Sequence, residues 1–371
     1  MPGRKQLAQD YGVAATTVER AVAELIADGT LRADSRRGTF VAGLVSEHPA
    51  AATPQTSGAA GSKGQCPRKE TLIGVMTPWK VDAVDAEPEI AYSDNSALGV
   101  LRAIERVVGM RGCATRFAAM FPERPGELSY EEALAPLSNA GAVAIVDLHD
   151  EMVRDRSFRS ALERAGLIVV LVTGGAGCIG WPSVCEDNVA AGYGATAHLL
   201  RRGYRKIAFL ASYEALWVNE RLQGAREACR MGGLGSRDLR VWPSASRRVS
   251  QRQPVDPAAL DTALDEIAGN PGSVGVVAAC DEIALMTIER ARQAGLAAGR
   301  DYGIVGFDDR ASARSVGLTS MRYPADDIGA QATQMAFDAL DGQRSASQIR
   351  VESHLIVRES SGHAGDESGN E

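Results

Sequence analysis

From about residue 70 onward the chain repeats one pattern: a short apolar run, an amphipathic stretch, then another short apolar run. The runs at 72–76, 142–148, 167–172, 207–211, 274–279 and 303–307 have the length and the continuous apolar character of strands buried on both faces of a parallel sheet. Between them, Leu98, Leu101, Ile104 and Val108 recur at helical spacing, as do Leu260, Leu264 and Ile267. Strand and helix alternating this often leave little choice but an open α/β sheet, and roughly 290 residues suffice for two such sheets. Ligand binding is then expected beyond the carboxyl ends of the strands.

The first fifty residues follow a different rule. Val18, Val22, Leu25 and Ile26 place one apolar stripe on a helix, and Gly29 ends it where a left-handed cap is needed. Thr16, Thr17 and Arg20 stand at the start of the opposite face, where small or charged groups can enter a DNA groove. Two strand-like runs follow, joined by Arg36, Arg37 and Gly38, a tight basic tip suited to a phosphate backbone or minor groove. Upstream, residues 4–13 read as a second short helix and a turn at Gly12, with Lys5 on that helix. Helix, turn, helix and basic wing make a DNA-reading device; an ordinary helix and hairpin is the plainer reading of the same spacing.

Composition bounds the alternatives. A net charge of −7 argues against a general nucleic-acid coat. Within residues 1–50, six Lys/Arg face six Asp/Glu, so DNA binding has to come from the placement of charge. Residues 45–69, rich in Ala, Ser, Gly and Pro, cannot bury a core and read as a flexible linker. No run of about 18 apolar residues is present, and the N-terminus has no signal-peptide pattern. The six cysteines form no CxxC pair and read as reduced thiols, so the expected location is the cytoplasm, with no membrane partner. The five histidines form no HxxxH or HExxH cluster, so neither a metal nor a cofactor is expected. Gly175, Gly177 and Gly180 spell GxGxxG after an apolar run, but Trp181-Pro182 follows where a dinucleotide fingerprint needs a helix. A loop at a cleft mouth is the better reading.

The N-terminal residues resemble the winged helix-turn-helix of the GntR family. Lys5, Leu7 and Ala8 match its "SERELA" stretch; Gly12-Val13 and Thr16-Thr17-Val18 match "GVSRTTVR"; Arg37 to Val41 match the wing "GRGTFV". Ala15 and Glu19 depart from it, standing where the family has arginines that approach DNA, and the family's first helix has no counterpart after Met1. The expectation is either a start upstream of Met1 or an incomplete domain. Residues 70–360 resemble the effector domain of the LacI family, itself similar to periplasmic sugar-binding proteins, through the stretches 72–76, 186–210, 219–228, 279–296, 302–309, 318–324 and 355–361.

These resemblances imply an α+β winged helix-turn-helix domain at 1–44, a linker at 45–69 and a two-lobed, parallel-sheet α/β domain of the periplasmic-binding-protein type at 70–360, with a disordered tail at 361–371. Lobe one is placed at 70–185 and 323–346, lobe two at 186–322 and 347–360, joined by three crossovers. The implied protein is a homodimeric repressor, not an enzyme, whose partners are operator DNA and a small sugar or similar effector. The competing reading is a small-molecule-binding module whose N-terminal domain no longer reads DNA.

Among implied ligand contacts, Arg221 matches the family arginine that meets ligand hydroxyls or carboxylates, and its planar fork of donors suits vicinal oxygens. Asp308 matches an acceptor of sugar hydroxyls. Asp309, pointing to the other face of the strand, reads as a turn cap. Asp281 is a ligand contact or a helix cap. Cys280 stands where the family has an asparagine, and a thiol cannot supply an amide's paired donor and acceptor. Trp79 and Trp217 suit either stacking on a sugar ring or ordinary packing. Asp187 reads as a hinge or helix start, and His198 as structural.

Overall fold

The computed structural model describes residues 18, 22, 31–34, 38–41, 71–79, 91–121, 128–148, 152, 155–175, 180–211, 215–235, 237–242, 257–343 and 348–362. The chain divides into two compact units, Met1–Cys66 and Pro67–Glu371.

In the first unit, Val18 and Val22 are helical and buried, as the apolar stripe requires. Strands β1 (Leu31–Asp34) and β2 (Gly38–Val41) pair antiparallel with Asp34 opposite Gly38. Gly38 is therefore the first residue of the second wing strand. Lys5, Thr16, Thr17, Arg20, Arg36 and Arg37 lie outside the described residues, as does the linker.

The second unit contains two six-stranded sheets. The first runs in the order β13-β7-β6-β5-β3-β4, where β3 is Leu72–Trp79, β4 Ala114–Phe121, β5 Ala142–Leu148, β6 Ile168–Thr173, β7 Ser183–Glu186 and β13 Gln348–Val351. Every pairing in it is parallel. The second runs β14-β12-β11-β10-β8-β9, where β8 is Lys206–Leu210, β9 Leu239–Trp242, β10 Val274–Ala278, β11 Gly303–Asp308, β12 Thr319–Arg322 and β14 His354–Ile356. Only β14 is antiparallel there. Both sheets follow the doubly wound order in which the chain starts one strand in from an edge, moves to that edge and returns to build the other side. The reversal leaves a switch point at the carboxyl ends of β3/β5 and of β8/β10.

The apolar runs become strands because helices cover both faces. All of β10, and β6 after its first residue, is buried. Helix α1 (Ala91–Met110) turns Leu101, Ile104 and Val108 into the core beneath one face of the first sheet, where Ile328, Ala332 and Phe337 of a later helix meet them. The helices α2 (Tyr130–Leu134) and α3 (Arg156–Ala165) cover the other face with Leu134, Phe158 and Leu162. Ser129 and Glu132 form a capping box on α2, while Asp155 caps α3 and Gly166, at φ 62°, ends it. Around the second sheet lie α4 (Asn188–Arg201), α5 (Leu216–Met231), α6 (Pro257–Gly269), α7 (Asp281–Gln293) and the short α8 (Ala311–Ser315). Its core gathers Leu199, Tyr204, Phe209, Ile267 and Phe307.

The chain passes between the sheets at Asp187, at 323–324 ahead of α9 (Ala325–Leu340), and at 352–353. The last passage differs from the expected one at 346–347: β13 pairs with β7 and so belongs to the first sheet. Its sequence QIRV carries charge because it is an edge strand, which needs only one apolar face. The fold also extends past residue 360. Ser361 is buried, and its hydroxyl lies 2.8 Å from His198 Nε2 and 2.7 Å from Thr319 Oγ1. Burial, then the charges of Arg202 and Arg201, push His198 down to about 4, so at neutral pH it is an uncharged member of this network.

Helices α4 and α5 cross in backbone contact. A Cβ on Gly192 would lie 2.0 Å from the Arg221 carbonyl oxygen, and one on Gly224 2.0 Å from that of Val189. Gly224→Ala should lower unfolding free energy by about 1–3 kcal/mol, the range for overpacking a tight contact. Gly109→Ala, in α1 with nothing within 4 Å of the added methyl, should instead be neutral or stabilise by about 0.5–1 kcal/mol. Urea denaturation of both variants checks the contrast, and equal effects would remove the crossing as a constraint.

Candidate ligand-binding site

Four chain segments meet between the sheets: the end of β7, the start of α5, and the turns that leave β10 and β11. Asp187 starts α4, its carboxylate accepting the Ala190 N–H at 3.0 Å, so the first crossover turns directly into a helix. This places Glu186 on one side of the crossover and Asn188 on the other. The α4–α5 contact then holds Arg221 against both.

Arg221 is buried and almost fully engaged. Its Nη2 donates to Glu186 Oε2 at 2.6 Å, Nε to Asn188 Oδ1 at 2.9 Å, and Nη1 to the Ala279 carbonyl at 2.6 Å. The guanidinium carbon lies 4.6 Å from the Trp217 ring centre and 4.2 Å from that of Phe307. Ala279 follows β10 at the switch point, where its N–H donates to the Leu210 carbonyl at 2.7 Å. Burial works against the arginine's charge, but Glu186 and then Asp308 more than offset it and hold its pKa above the ordinary value. Glu186 also accepts from the Ser353 hydroxyl, at the third crossover. Asn188 donates to the Gly174 carbonyl at 2.7 Å, tying the loop after β6 to the same cluster.

Asp308 and Asp309 end β11 with φ of 103° and 54°, a conformation non-glycine residues rarely hold and one that clusters at functional sites. The turn is braced on every side. The Asp309 N–H donates to Ser320 Oγ at 3.0 Å, Ser320 donates to Asp281 Oδ1 at 2.7 Å, and the Arg310 N–H donates to Asp281 Oδ2 at 2.8 Å. The Asp309 carboxylate is buried among Arg358 at 2.5 Å, Arg322 at 2.8 Å and Arg314 at 3.2 Å. Burial alone would raise its pKa, but the arginines reverse this and hold it below the usual range. Asp309 is thus the centre of an ion cluster and not a turn cap. The Asp308 side chain is 18% exposed, with Arg310 Nε at 3.4 Å. Burial raises the pKa of Asp308 against the opposing charges of Arg221 and Arg310.

Asp281 uses its carboxylate on Ser320 and Arg310 and caps no helix. Cys280 holds the cap position of α7 without a side-chain hydrogen bond. Burial and then Asp308 raise the pKa of Asp281, and the same two causes push the Cys280 thiol up to about 12. A thiol so protonated is not an activated nucleophile. Trp217 lies in the site against Arg221, whereas for Trp79 only the backbone is described, at the end of β3 opposite Phe121. The GxGxxG stretch leads into β7, not a helix. Among the described residues no group of three or more His, Cys, Asp or Glu is placed to hold a metal ion.

The structure thus gathers Arg221, Asp308, Asp281, Cys280 and Trp217 at one place, and adds Glu186, Asn188, Phe307 and Arg310, which sequence reading passed over. One signal existed: Glu186 is the lone charged residue of the strand SVCE, which is buried throughout. Glu186→Ala should strand the guanidinium and lower stability by about 3–5 kcal/mol, as loss of one partner of a buried pair does. Replacing both residues by leucine and methionine should recover much of that loss in urea titration, and failure to recover it would count against the ion pair as the cause.

Residues 1–41 match bacterial regulatory proteins of the gntR family, and residues 196–361 match the periplasmic binding protein-like domain. The arabinose metabolism transcriptional repressor of Geobacillus stearothermophilus is 24% identical over 367 residues, covering 97% of this chain and 91% of that protein. The HTH-type transcriptional regulator CelR of Thermobifida fusca is 29% identical over 231 residues, 59% of this chain and 62% of CelR. The crystal structure of transcription regulator GntR from Chromobacterium violaceum shares the fold with a TM-score of 0.58 at 24% identity, covering 78% of this chain and 99% of that one. Residues 1–41 are thus similar to gntR-family regulatory proteins, and residues 196–361 to a periplasmic binding protein-like domain.

Proposed function

We propose that this protein is a ligand-responsive transcription repressor that binds operator DNA through its N-terminal winged helix and a small sugar between the two sheets. The observation that carries the reading is the joint presence, in one chain, of the gntR-family segment and a two-sheet domain whose switch point converges on Arg221, Asp308 and Trp217. Relatives named as repressors of sugar metabolism support it. A homodimer working in the cytoplasm completes the reading, since two winged helices on one two-fold operator need two copies of the chain. Ligand between the sheets alters how the lobes close. By linkage, whatever ligand does to operator affinity, operator does equally to ligand affinity.

The site residues divide by role. Asp308 accepts hydrogen bonds from sugar hydroxyls, Trp217 offers an apolar ring face, and Arg221 positions both while turning its remaining donors to the ligand. Cys280 and Asp281 line the base of the site, and Trp79 stands at the mouth of the first sheet. Lys5, Thr16, Thr17, Arg20, Arg36, Arg37 and Gly38 form the DNA-facing set.

Fluorescence-anisotropy titration against DNA upstream of the protein's own gene tests the reading, with an unrelated fragment as control. A salt-sensitive preference for its own fragment is expected, and equal weak binding to both would overturn DNA recognition. Arg37→Ala should weaken binding and reduce the salt slope by about 1, whereas an unchanged slope would remove the wing from the phosphate contacts. Asp308→Asn, which keeps a residue tolerant of positive φ, should leave DNA affinity intact and weaken the effector response about tenfold or more. A wild-type response in that variant would exclude Asp308 from the ligand site.

A further inference from the structure

A buried arginine at the carboxyl end of a sheet would ordinarily be the anion receptor of its cleft. In this chain that role is already taken. The side chains of Arg221 and Glu186 are only 5% and 3% exposed and are joined at 2.6 Å, and Asn188 and the Ala279 carbonyl each accept one more of the guanidinium's N–H groups. Two other cations beside the pair also have carboxylate partners. Arg310 lies 3.4 Å from Asp308, and Arg350 3.9 Å from Glu220, whose other oxygen receives Asn188 Nδ2 at 3.3 Å. Asp281 adds a further buried carboxyl behind Asp308.

We propose that Glu186 makes the cleft selective for an uncharged, hydroxyl-rich effector and excludes carboxylates and phosphates, by neutralising Arg221 before any ligand arrives. The inference rests on the effector-binding reading above and deepens it. An anionic ligand approaching Arg221 has two courses. It displaces Glu186, leaving that carboxylate buried with the Ser353 hydroxyl as its remaining partner, or it sits beside Glu186 and Asp308 and is repelled by both. A neutral polyol meets neither penalty. Its hydroxyls donate to Asp308 and accept from guanidinium hydrogens that Glu186 leaves over, and an ion-paired arginine remains a competent donor to a neutral oxygen. Glu186 is accordingly a specificity-determining residue that acts through Arg221.

The test is isothermal titration of the full-length protein with matched pairs: glucose with glucuronate and glucose 6-phosphate, galactose with galacturonate, and arabinose and cellobiose as further neutral members. Wild type should bind at least one neutral sugar and bind the acidic partner on the order of a hundredfold more weakly. In Glu186→Gln, which keeps the shape and one acceptor oxygen, the gap should narrow at least tenfold through tighter binding of the acid. A uronate or sugar phosphate bound by wild type as tightly as its neutral partner overturns the proposal, whether or not the variant folds. So does an unchanged gap in a folded Glu186→Gln. If no sugar of either charge binds wild type, the sugar reading of the function falls, and inorganic phosphate decides the present inference alone. Phosphate should then bind Glu186→Gln at least tenfold more tightly than wild type, and equal affinity overturns it.

Discussion

The buried ion pair between Arg221 and Glu186 is the interaction on which the effector domain's architecture turns. Glu186 ends a strand of the first sheet, and Arg221 rides on a helix that packs on the second, so the pair ties the lobes at the first crossover. Two charges removed from water gain little net stability from each other, but each becomes costly without its partner. The pair therefore acts mainly as a constraint. It determines where α5 begins relative to β7, brings Ala279 and Asn188 into register as the remaining acceptors, and holds Trp217 and Phe307 against the two guanidinium faces.

A second constraint lies at the end of β11. Two consecutive aspartates in left-handed conformations are held by a serine, an aspartate and three arginines drawn from β12, α8 and the segment after β14. Backbone strain of this kind persists only where the surroundings over-determine it. Here the surroundings are a buried carboxylate that three cations share: Asp309 is anchored by them, while Asp308 stays partly exposed beside Arg310. The site is thus pre-arranged by the fold, which is the condition under which a few polar contacts suffice for selective binding.

Much of this was legible in the chain. The inner strands β3, β5 and β6 of the first sheet and β8, β10 and β11 of the second follow from the apolar runs, because a strand buried on two faces has no alternative to hydrophobic residues along its length. The capping of α4 by Asp187 and the structural place of His198 were equally open to reading, since both depend on neighbours close in sequence or on a recurrent pattern. Three particulars were not. The strand β13 is short and charged, and only its pairing with β7 places it in the first sheet. Asp309 looked like a cap because the arginines that claim it stand 5, 13 and 49 residues away. Glu186 drew no reading of its own because its partner lies 35 residues on.

Local patterns along the chain carry the order of parts: an N-terminal segment similar to the gntR family, a stretch rich in Ala, Ser, Gly and Pro, and an alternation of strands and helices long enough for two sheets. Periodicity and local turn chemistry carry that information, and they act over a few residues. Which charges neutralise one another is settled by tertiary packing alone. A charge reads the same in sequence whether it is solvated or buried, and its partner is chosen by the packing of α4 on α5 and the convergence of both sheets at the crossover.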